Sequence, residues 1–277
     1  VPARPDARTA TTGSDFIDRV GEAALQTHRV AWEGVEFVGD LTIALGRALL
    51  GRARFRGSDL ALLVEQNGFE ALPIVTLVTF LLGLILAFVG AVQLQTFGAT
   101  IYVADLVGVA MVRDMGALIT GIVMAGRSGA AFAAQLGSMK VTQETDALTT
   151  MAISPMEFLV VPRVLALCLM MPLLTLYGDA MGVLGGGFVG LTMLDLSAME
   201  YLRQTSTAVS LTDVAGGVLK GTVYGILIAI SGCLRGMQSG KSSSAVGDAA
   251  TSAVVTGIVS IIIACGMFAF VFYTLGI

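Results

Sequence analysis

Long apolar runs separated by short polar segments occupy most of this chain. From Ala71 onward, five stretches reach or approach the roughly 20 apolar residues that a helix needs to cross a bilayer. The second stretch is composite, because its two ends are polar and its middle is apolar. The pattern predicts an all-α integral membrane protein with five transmembrane helices, at about 71–95, 107–137, 156–189, 213–236 and 250–275.

The region before the first apolar run is more polar. Residues 1–14 are rich in Pro, Arg, Thr, Ala and Gly and have no periodicity, which predicts a disordered linker. From Asp15 to about Leu50, apolar residues recur at helical spacing between acidic ones, so residues 15–57 are predicted to hold an amphipathic helix at the membrane interface. The transmembrane domain is then predicted at 58–277.

The chain begins with Val1, and the first run of spanning length comes too late for a secretory signal peptide. We therefore expect the native protein to have further residues upstream.

The composition supports the membrane assignment. Hydrophobic residues make up 55% of the 277 residues and charged residues 13%, whereas a soluble domain has about 25% charged residues. The net charge of -4 is small and dispersed, which indicates no nucleic-acid partner. The three cysteines lack metal-ligand spacing, so we expect neither a disulfide framework nor a zinc site.

Basic residues are concentrated in every second connection between the predicted spans, and such connections normally stay in the cytoplasm. The connection at 190–212, in contrast, carries two acidic residues and one arginine. We expect a cytoplasmic N-terminus and a periplasmic C-terminus in a multi-pass protein of the bacterial inner membrane. The basic residues that fix this orientation are Arg47, Arg52, Arg54, Arg56, Lys140 and Lys241.

Glycines recur every fourth residue in the third and fourth predicted spans. Small residues at this spacing let two helices approach closely in a membrane. We interpret them as packing positions: Gly182, Gly186 and Gly190 in one span, and Gly217, Gly221 and Gly225 in the other.

Charged residues inside the predicted spans are the strongest functional signal. Burying a charge in a membrane is expensive, so such residues usually face a cavity or a partner charge. Asp114 and Lys220 lie at similar distances from the external ends of their spans, which predicts an ion pair or a shared polar site. The alternative is that either side chain reaches the interface on its own. Arg113, Arg127 and Asp179 are further intramembrane candidates.

A polar run follows the second predicted span. Val141, Leu148 and Ala152 stand on one helical face, which predicts a short helix over 140–153 that ends at Pro155. This segment is either a solvated connecting loop or a helix that docks into a cytoplasmic subunit. In the second case the coupling residues are Lys140, Thr142, Gln143, Glu144, Asp146, Leu148 and Met151.

Two short motifs resemble enzyme signatures but lack an essential part. The glycines of residues 236–242 are separated by three residues instead of the four of a phosphate-binding loop. The Gly-Arg-Ser-Gly at 126–129 has no histidine base, because the one histidine, His28, precedes every predicted span. We therefore expect no catalytic residue and no cofactor in this chain; ATP with magnesium would bind a partner.

Five separated motifs, within roughly residues 60–275, resemble the MlaE/YrbE family of ABC-transporter permeases. Residues 113–116 are similar to the family's Arg-Glu-Leu-Gly block with Asp for Glu, and residues 125–137 match its Ala-Gly-Arg-x-Gly block. Residues 142–155 resemble its Thr-Glu-Gln-Ile-Asp-Ala-Leu coupling segment with the closing Met-x-x-x-Pro. Residues 220–225 and 246–255 are similar to its last two blocks. Four further positions depart from the family pattern: the exchanged pair Gln143 and Glu144, Ala250 for Thr, and Cys265 for Asp.

The resemblance implies a homodimer with an elbow-like interfacial helix and a short cytoplasmic coupling helix in each subunit. It also implies a cytoplasmic ABC ATPase dimer, a periplasmic ring of MCE-type lipid-binding proteins, and in some members a STAS domain. A phospholipid would occupy an outward-facing cavity at the dimer interface. The apolar wall that includes Leu81, Leu84 and Val92 would hold its acyl chains, and Arg113 or Arg127 would meet its phosphate. Arg127 could equally anchor the coupling region.

A second function class uses the same charges differently. Asp114, Lys220 and Asp179 could form the relay of an ion-coupled secondary transporter, for which inverted repeats would be expected. A structural scaffold would leave the intramembrane charges without a role. The sequence alone favours the ATP-driven permease.

Overall fold

In a computed structural model of the chain, the described residues are 32–48, 50, 57–194 and 196–276. These residues form helices and no strand, which confirms the all-α prediction. The predicted linker, residues 15–31 of the interfacial helix and the arginines at 52, 54 and 56 lie outside the described part.

Eleven α-helices are present in this part of the chain, joined by short turns of other helical types. Three π turns lie at Met111–Met115, Ala125–Gly129 and Met156–Val160, and two 3₁₀ turns lie at Phe69–Ala71 and Thr100–Tyr102. The helices are α1 (32–48), α2 (Gly57–Gly68), α3 (Leu72–Gln95), α4 (Val103–Ala110), α5 (Gly116–Met124), α6 (Ala130–Val141), α7 (Glu144–Thr150), α8 (Val161–Met193), α9 (Ala198–Ala208), α10 (Leu211–Met237) and α11 (Ser243–Leu275).

Five helical segments of the described chain are long and apolar enough to cross a membrane, as predicted. They are Gly57–Gln95, Thr100–Val141, Met156–Met193, Leu211–Met237 and Ser243–Leu275. The last span begins earlier than predicted because Ser242 caps it, its hydroxyl accepting a hydrogen bond from the Ala245 amide at 3.3 Å. The middle three spans are the most buried, so the first and last spans lie at the outside of the bundle.

The bundle has two ends that can be told apart by their short helices. At the α7 end lie α7, the turn between α10 and α11, and α1. At the α9 end lie α9, the connection between α3 and α4, and the first turn of α4, where Asp105 Oδ2 accepts a hydrogen bond from the Gln204 amide at 2.9 Å. The names α7 end and α9 end are used below without reference to the sides of the membrane.

Helix α9 lies in a connection for which no helix was predicted. Its first turn is capped by Ser197, which accepts a hydrogen bond from the Glu200 amide at 3.2 Å. Tyr201 is buried against α8 and donates to the Val183 carbonyl at 3.1 Å. Burial raises the pKa of the Tyr201 phenol to about 12, so this donor stays protonated at neutral pH.

Glycines allow the close helix packing that was predicted. On α10, a side chain at Gly217 would strike the Val112 carbonyl, and one at Gly221 would strike Thr175. On α8, Gly182 lies against Met111 and against Gly83 of α3. Backbone-to-backbone contact of this kind gains dispersion energy that larger side chains would prevent.

Helix α1 packs against the α7 end through a narrow apolar face. Phe37, Leu41 and Ala44 are buried in the main core, whereas Trp32 and Val35 are exposed. Trp32, Val35 and Val38 also recur at helical spacing, but they do not form the packed face, since all three side chains are exposed. An outward apolar stripe remains compatible with a helix lying at the membrane interface.

The predicted helix over 140–153 is wrong in its bounds. Helix α6 continues to Val141, and the chain then breaks at Gln143, whose φ is 60°. Helix α7 covers only Glu144–Thr150, and Ala152 follows it with a φ of 56°. Pro155 begins the next span instead of ending this helix, because proline is well tolerated at a helix start.

The contact between α3 and α8 generates a stability prediction. In Gly83→Ala the new methyl group would collide with the Gly182 carbonyl, so we expect a loss of about 1–3 kcal/mol in the free energy of unfolding. Thermal melting of the purified protein in detergent would show it. Gly266→Ala is the matched control, since no atom lies within 4 Å of its added methyl group. Equal melting temperatures for the two variants would contradict the close contact.

Candidate functional site

Lys220 is the most deeply buried charge in the described part of the chain. Its side chain is 1% exposed, and its ammonium forms an ion pair with the Asp114 carboxylate. The same ammonium donates to the Arg113 carbonyl at 2.8 Å and lies 4.7 Å from the centre of the Phe272 ring. A carboxylate, a carbonyl and an aromatic face together replace the water that this cation loses on burial.

This geometry confirms the predicted contact between Asp114 and Lys220. The alternative, in which Lys220 reaches the interface alone, is wrong because the side chain is enclosed by three spans. The Asp114 side chain is 35% exposed, so the pair is closed on the lysine side and open on the aspartate side. Whether the pair serves transport stays a prediction.

The carboxylate side of the pair is carried by a π turn. Met111–Met115 interrupts the α-helical pattern of the second span, and a second π turn at Ala125–Gly129 follows the apolar helix α5. The composite character predicted for this span is therefore real: two polar π turns flank an apolar middle. Turns of this type are frequent at functional sites.

Arg113, the neighbour of Asp114, reaches toward the α9 end. Its guanidinium lies 3.5 Å from Asp213 Oδ1. Asp213 in turn accepts from the Ser210 amide at 3.1 Å and the Ser210 hydroxyl at 2.6 Å, and so caps α10. Asp213 was not predicted as a site residue, although the spacing Ser-x-x-Asp was a readable signal for the cap.

A cluster of buried polar atoms lies between the second, third and fourth spans. Asp179 Oδ1 and the hydroxyls of Thr120 and Thr175 are buried and have no hydrogen-bond partner among the described residues. Asp179 lies against Gly116, and Thr175 lies against Gly221. The predicted relay candidate Asp179 is therefore near the Lys220 region, but it forms no ion pair with Lys220 in the described part.

The predicted acyl-chain wall lies on α3 and faces two directions. Leu81 and Val92 are exposed, whereas Leu84 is partly buried and packs against a small core that includes Met111. The exposed side continues as an apolar stripe along the whole helix. Its large members are Ile74, Leu77, Leu81, Ile85, Phe88, Val89 and Val92.

Arg127 is held by a break in the first span. Its guanidinium donates to the Gln66 carbonyl at 2.8 Å and to Glu70 Oε2 at 2.9 Å. The break lies between α2 and α3, at Phe69–Ala71, where helical carbonyls lose their normal partners. Arg127 was considered either as a ligand of a lipid phosphate or as an anchor of the coupling region. These bonds agree with an anchoring role, although the segment that Arg127 anchors is the first span.

The predicted coupling residues separate into two groups. Thr142, Gln143, Glu144, Asp146 and Met151 are exposed at the α7 end. Leu148 is buried and belongs to the main core. Lys140 donates to the Met237 carbonyl at 2.7 Å, which joins the ends of the second and fourth spans.

Further contacts tie α1 to the same end. Arg47 pairs with Glu157 at 2.8 Å, and the Gln238 amide donates to Glu33 at 2.8 Å. The α7 end is therefore a connected unit in which α1 and the second, third and fourth spans are linked by side chains.

Comparisons with known proteins agree with this architecture. The family described as Permease MlaE matches residues 62–271. A probable ABC transporter permease protein of Rickettsia typhi is 41% identical over 196 residues, which cover 71% of this chain and 76% of the relative. One from Synechocystis sp. is 32% identical, with 72% and 76% covered. The intermembrane phospholipid transport system permease protein MlaE of Haemophilus influenzae is 27% identical, with 87% and 91% covered.

The Lys220 pair generates an asymmetric stability prediction. Asp114→Ala leaves a fully buried ammonium without its counter-charge, and we expect a loss of roughly 3–5 kcal/mol in the free energy of unfolding. Lys220→Met leaves a carboxylate that is already partly exposed, so its loss should be smaller. Thermal melting of both variants would test the order, with Asp248→Ala as a control at an exposed carboxylate. The reverse order would contradict the burial described here.

Proposed function

Because the chain belongs to the MlaE permease family, we propose that it is the membrane-spanning subunit of an ABC transporter that moves phospholipid or a related lipid between bacterial membranes. The observation that carries the proposal is the buried Lys220 ammonium paired with Asp114 and open to the surface on the aspartate side. Its surroundings suit a molecule with one charged end and long apolar chains.

The charged end of a lipid would meet Arg113 and Asp114. The Arg113 side chain is 37% exposed and is positioned by Asp213. A guanidinium binds phosphate with two parallel hydrogen bonds, which suits it to a lipid headgroup. Asp114 would repel that phosphate unless Lys220 neutralised it, so the ion pair permits an anion to approach.

The acyl chains would lie along the exposed stripe of α3. Leu81 and Val92 belong to this stripe, and such apolar side chains hold acyl chains by van der Waals contact. The last span has a similar exposed apolar face, with Val259, Ile263 and Phe270. A second copy of the chain placed against these two faces would enclose the cavity of a homodimer.

The exposed acids of α7 would bind the ATPase. Glu144 and Asp146 project from a helix whose other side, through Thr145 and Leu148, is buried in the bundle. A displacement of α7 would therefore be transmitted to the second and fourth spans through Lys140.

The α7 end would be cytoplasmic, with the N-terminus, and the α9 end periplasmic, with the C-terminus and the MCE-type ring. A STAS domain could precede Val1.

The ion-coupled alternative depends on Asp179, whose buried oxygen has no partner among the described residues. It predicts transport that follows an ion gradient without an ATPase. The ABC transporter permease relatives favour the ATP-driven mechanism.

Transport should depend on the buried lysine. In vesicles that contain the chain with its native partners, Lys220→Met should lower ATP-dependent lipid transfer by at least about tenfold, because Asp114 would then repel the phosphate. Lys241→Met, at an exposed loop lysine, is the control and should transfer lipid normally. Normal transfer by Lys220→Met would refute this role, and transfer driven by an ion gradient without ATP would support the alternative.

We predict that ATPase binding depends on the exposed acidic residues Glu144 and Asp146 of α7. The tagged chain would be purified from its native membrane in mild detergent, and its partners identified by mass spectrometry. We expect an ABC ATPase to co-purify and the double change Glu144→Lys with Asp146→Lys to lower its yield about tenfold or more, since reversed charges repel the matching surface. Glu200→Lys, at the α9 end, should leave the yield unchanged. Retention of the ATPase by the double variant would place its docking surface elsewhere.

A further inference from the structure

A polar groove lies at the α7 end, on the side of the bundle formed by α2, α6 and the start of the third span. It consists of two adjoining cavities of about 350 and 250 Å³ that share Gln66 and Gln135. Neither cavity contains Lys220, Asp114 or Arg113, so the groove is separate from the site described above. Its polar side chains are Asp59, Gln66, Asn67, Glu70, Arg127, Gln135 and Arg163.

Arg163 is the most buried charge of this groove. The residue is 9% exposed; its guanidinium donates to the Leu159 carbonyl at 2.6 Å and contacts Gln135 Oε1 at 3.3 Å. It also lies 5.7 Å from the centre of the Phe132 ring. Its Nε is buried and has no hydrogen-bond partner among the described residues. A donor left in this state indicates that the site accepts a further group.

The groove carries two charges of each sign. Arg127 and Arg163 supply the positive charges, and Asp59 and Glu70 supply the negative ones. The Glu70 side chain is 58% exposed, so it can bind a cation while it holds Arg127. A purely anionic ligand would meet repulsion from both carboxylates, whereas a ligand with one charge of each sign pairs with one arginine and one carboxylate.

The groove lies near one end of its spans. Gln135 precedes the end of α6, at Val141, by about 9 Å along the helix axis, and Arg163 follows Met156 by about 10 Å. A position near the end of a span is closer to the headgroup layer than to the centre of a bilayer. Leu62 and Leu63 of α2 line the second cavity and provide an apolar edge.

We propose that this groove binds the headgroup of a zwitterionic phospholipid from the leaflet at the α7 end. The phosphate lies at Arg163 and Gln135, and the ammonium lies at Glu70. The site rests on the proposed lipid transport for its choice of ligand. It adds a second lipid position at the opposite end of the bundle from Lys220.

The test measures equilibrium binding, without ATP. The full chain with its co-purifying partners would carry Lys220→Met, which weakens the site at the Lys220–Asp114 pair. It would be titrated with dihexanoyl phosphatidylethanolamine, and bound lipid would be measured by native mass spectrometry. Dihexanoyl phosphatidylglycerol and inorganic phosphate would be titrated in parallel. Gln135→Leu and Arg163→Met should each weaken phosphatidylethanolamine binding about tenfold, and Glu70→Gln should lower the preference for it over phosphatidylglycerol about tenfold.

Exposed residues provide the controls. Glu65→Gln lies on α2 outside the groove, and Gln93→Leu lies near the other end of α3; neither should change binding. If Arg163→Met fails to fold, Gln135→Leu and Glu70→Gln decide the question alone, since both side chains are exposed. Unchanged binding in those two variants would overturn the proposal. Displacement of the lipid by an equal concentration of inorganic phosphate would also overturn it, in favour of a phosphate site.

Failure of this site and failure of the proposed function give different results. If the unchanged chain with its partners shows no ATP-dependent lipid transfer but binds the headgroup, the transport role is refuted and the groove site stands. If it transfers lipid normally but binds no headgroup in the groove, the groove site is refuted and the transport role stands.

Discussion

A buried ammonium must recover, from the protein, the hydrogen bonds and the charge compensation that water would give it. At Lys220 this requirement brings together three spans: Lys220 itself in the fourth, Asp114 and the Arg113 carbonyl in the second, and Phe272 in the fifth. The π turn at Met111–Met115 carries the carboxylate. The relative position of these spans is therefore fixed by electrostatics as well as by the fit of glycines.

Much of the architecture could be read from the sequence because membrane spans leave a long, strong signal. The five spans were predicted, although the first begins at Gly57 instead of about 71 and the last at Ser243 instead of about 250. The contact of Asp114 with Lys220 followed from their matching depth. Local breaks were harder. The left-handed backbone at Gln143 shortened α7, and α9 was missed although Ser197 and Glu200 have the spacing of a helix start.

Two other contacts between residues distant in sequence were not predicted. Arg127 binds Glu70, 57 positions away, and Lys140 binds the Met237 carbonyl, 97 positions away. Neither hydropathy nor periodicity contains this information, since each partner is set by how the spans pack. Leu148 was placed on the apolar face of the predicted helix, and its burial in the core agrees with that face; its part in coupling stays a prediction. Depth along a span can be read from a sequence, whereas the direction of a side chain depends on its neighbours.

The break in the first span has a mechanical consequence. The 3₁₀ turn at Phe69–Ala71 is the joint that divides this span into two segments. Arg127 binds at this joint, because its guanidinium donates to the Gln66 carbonyl and to the Glu70 carboxylate. On the far side of the joint, α3 is locked to α8 by glycine contacts. The joint is thus a braced bend: Arg127 of the second span binds the last part of α2 through Gln66 and the turn after it through Glu70, so the second span fixes the course of the first.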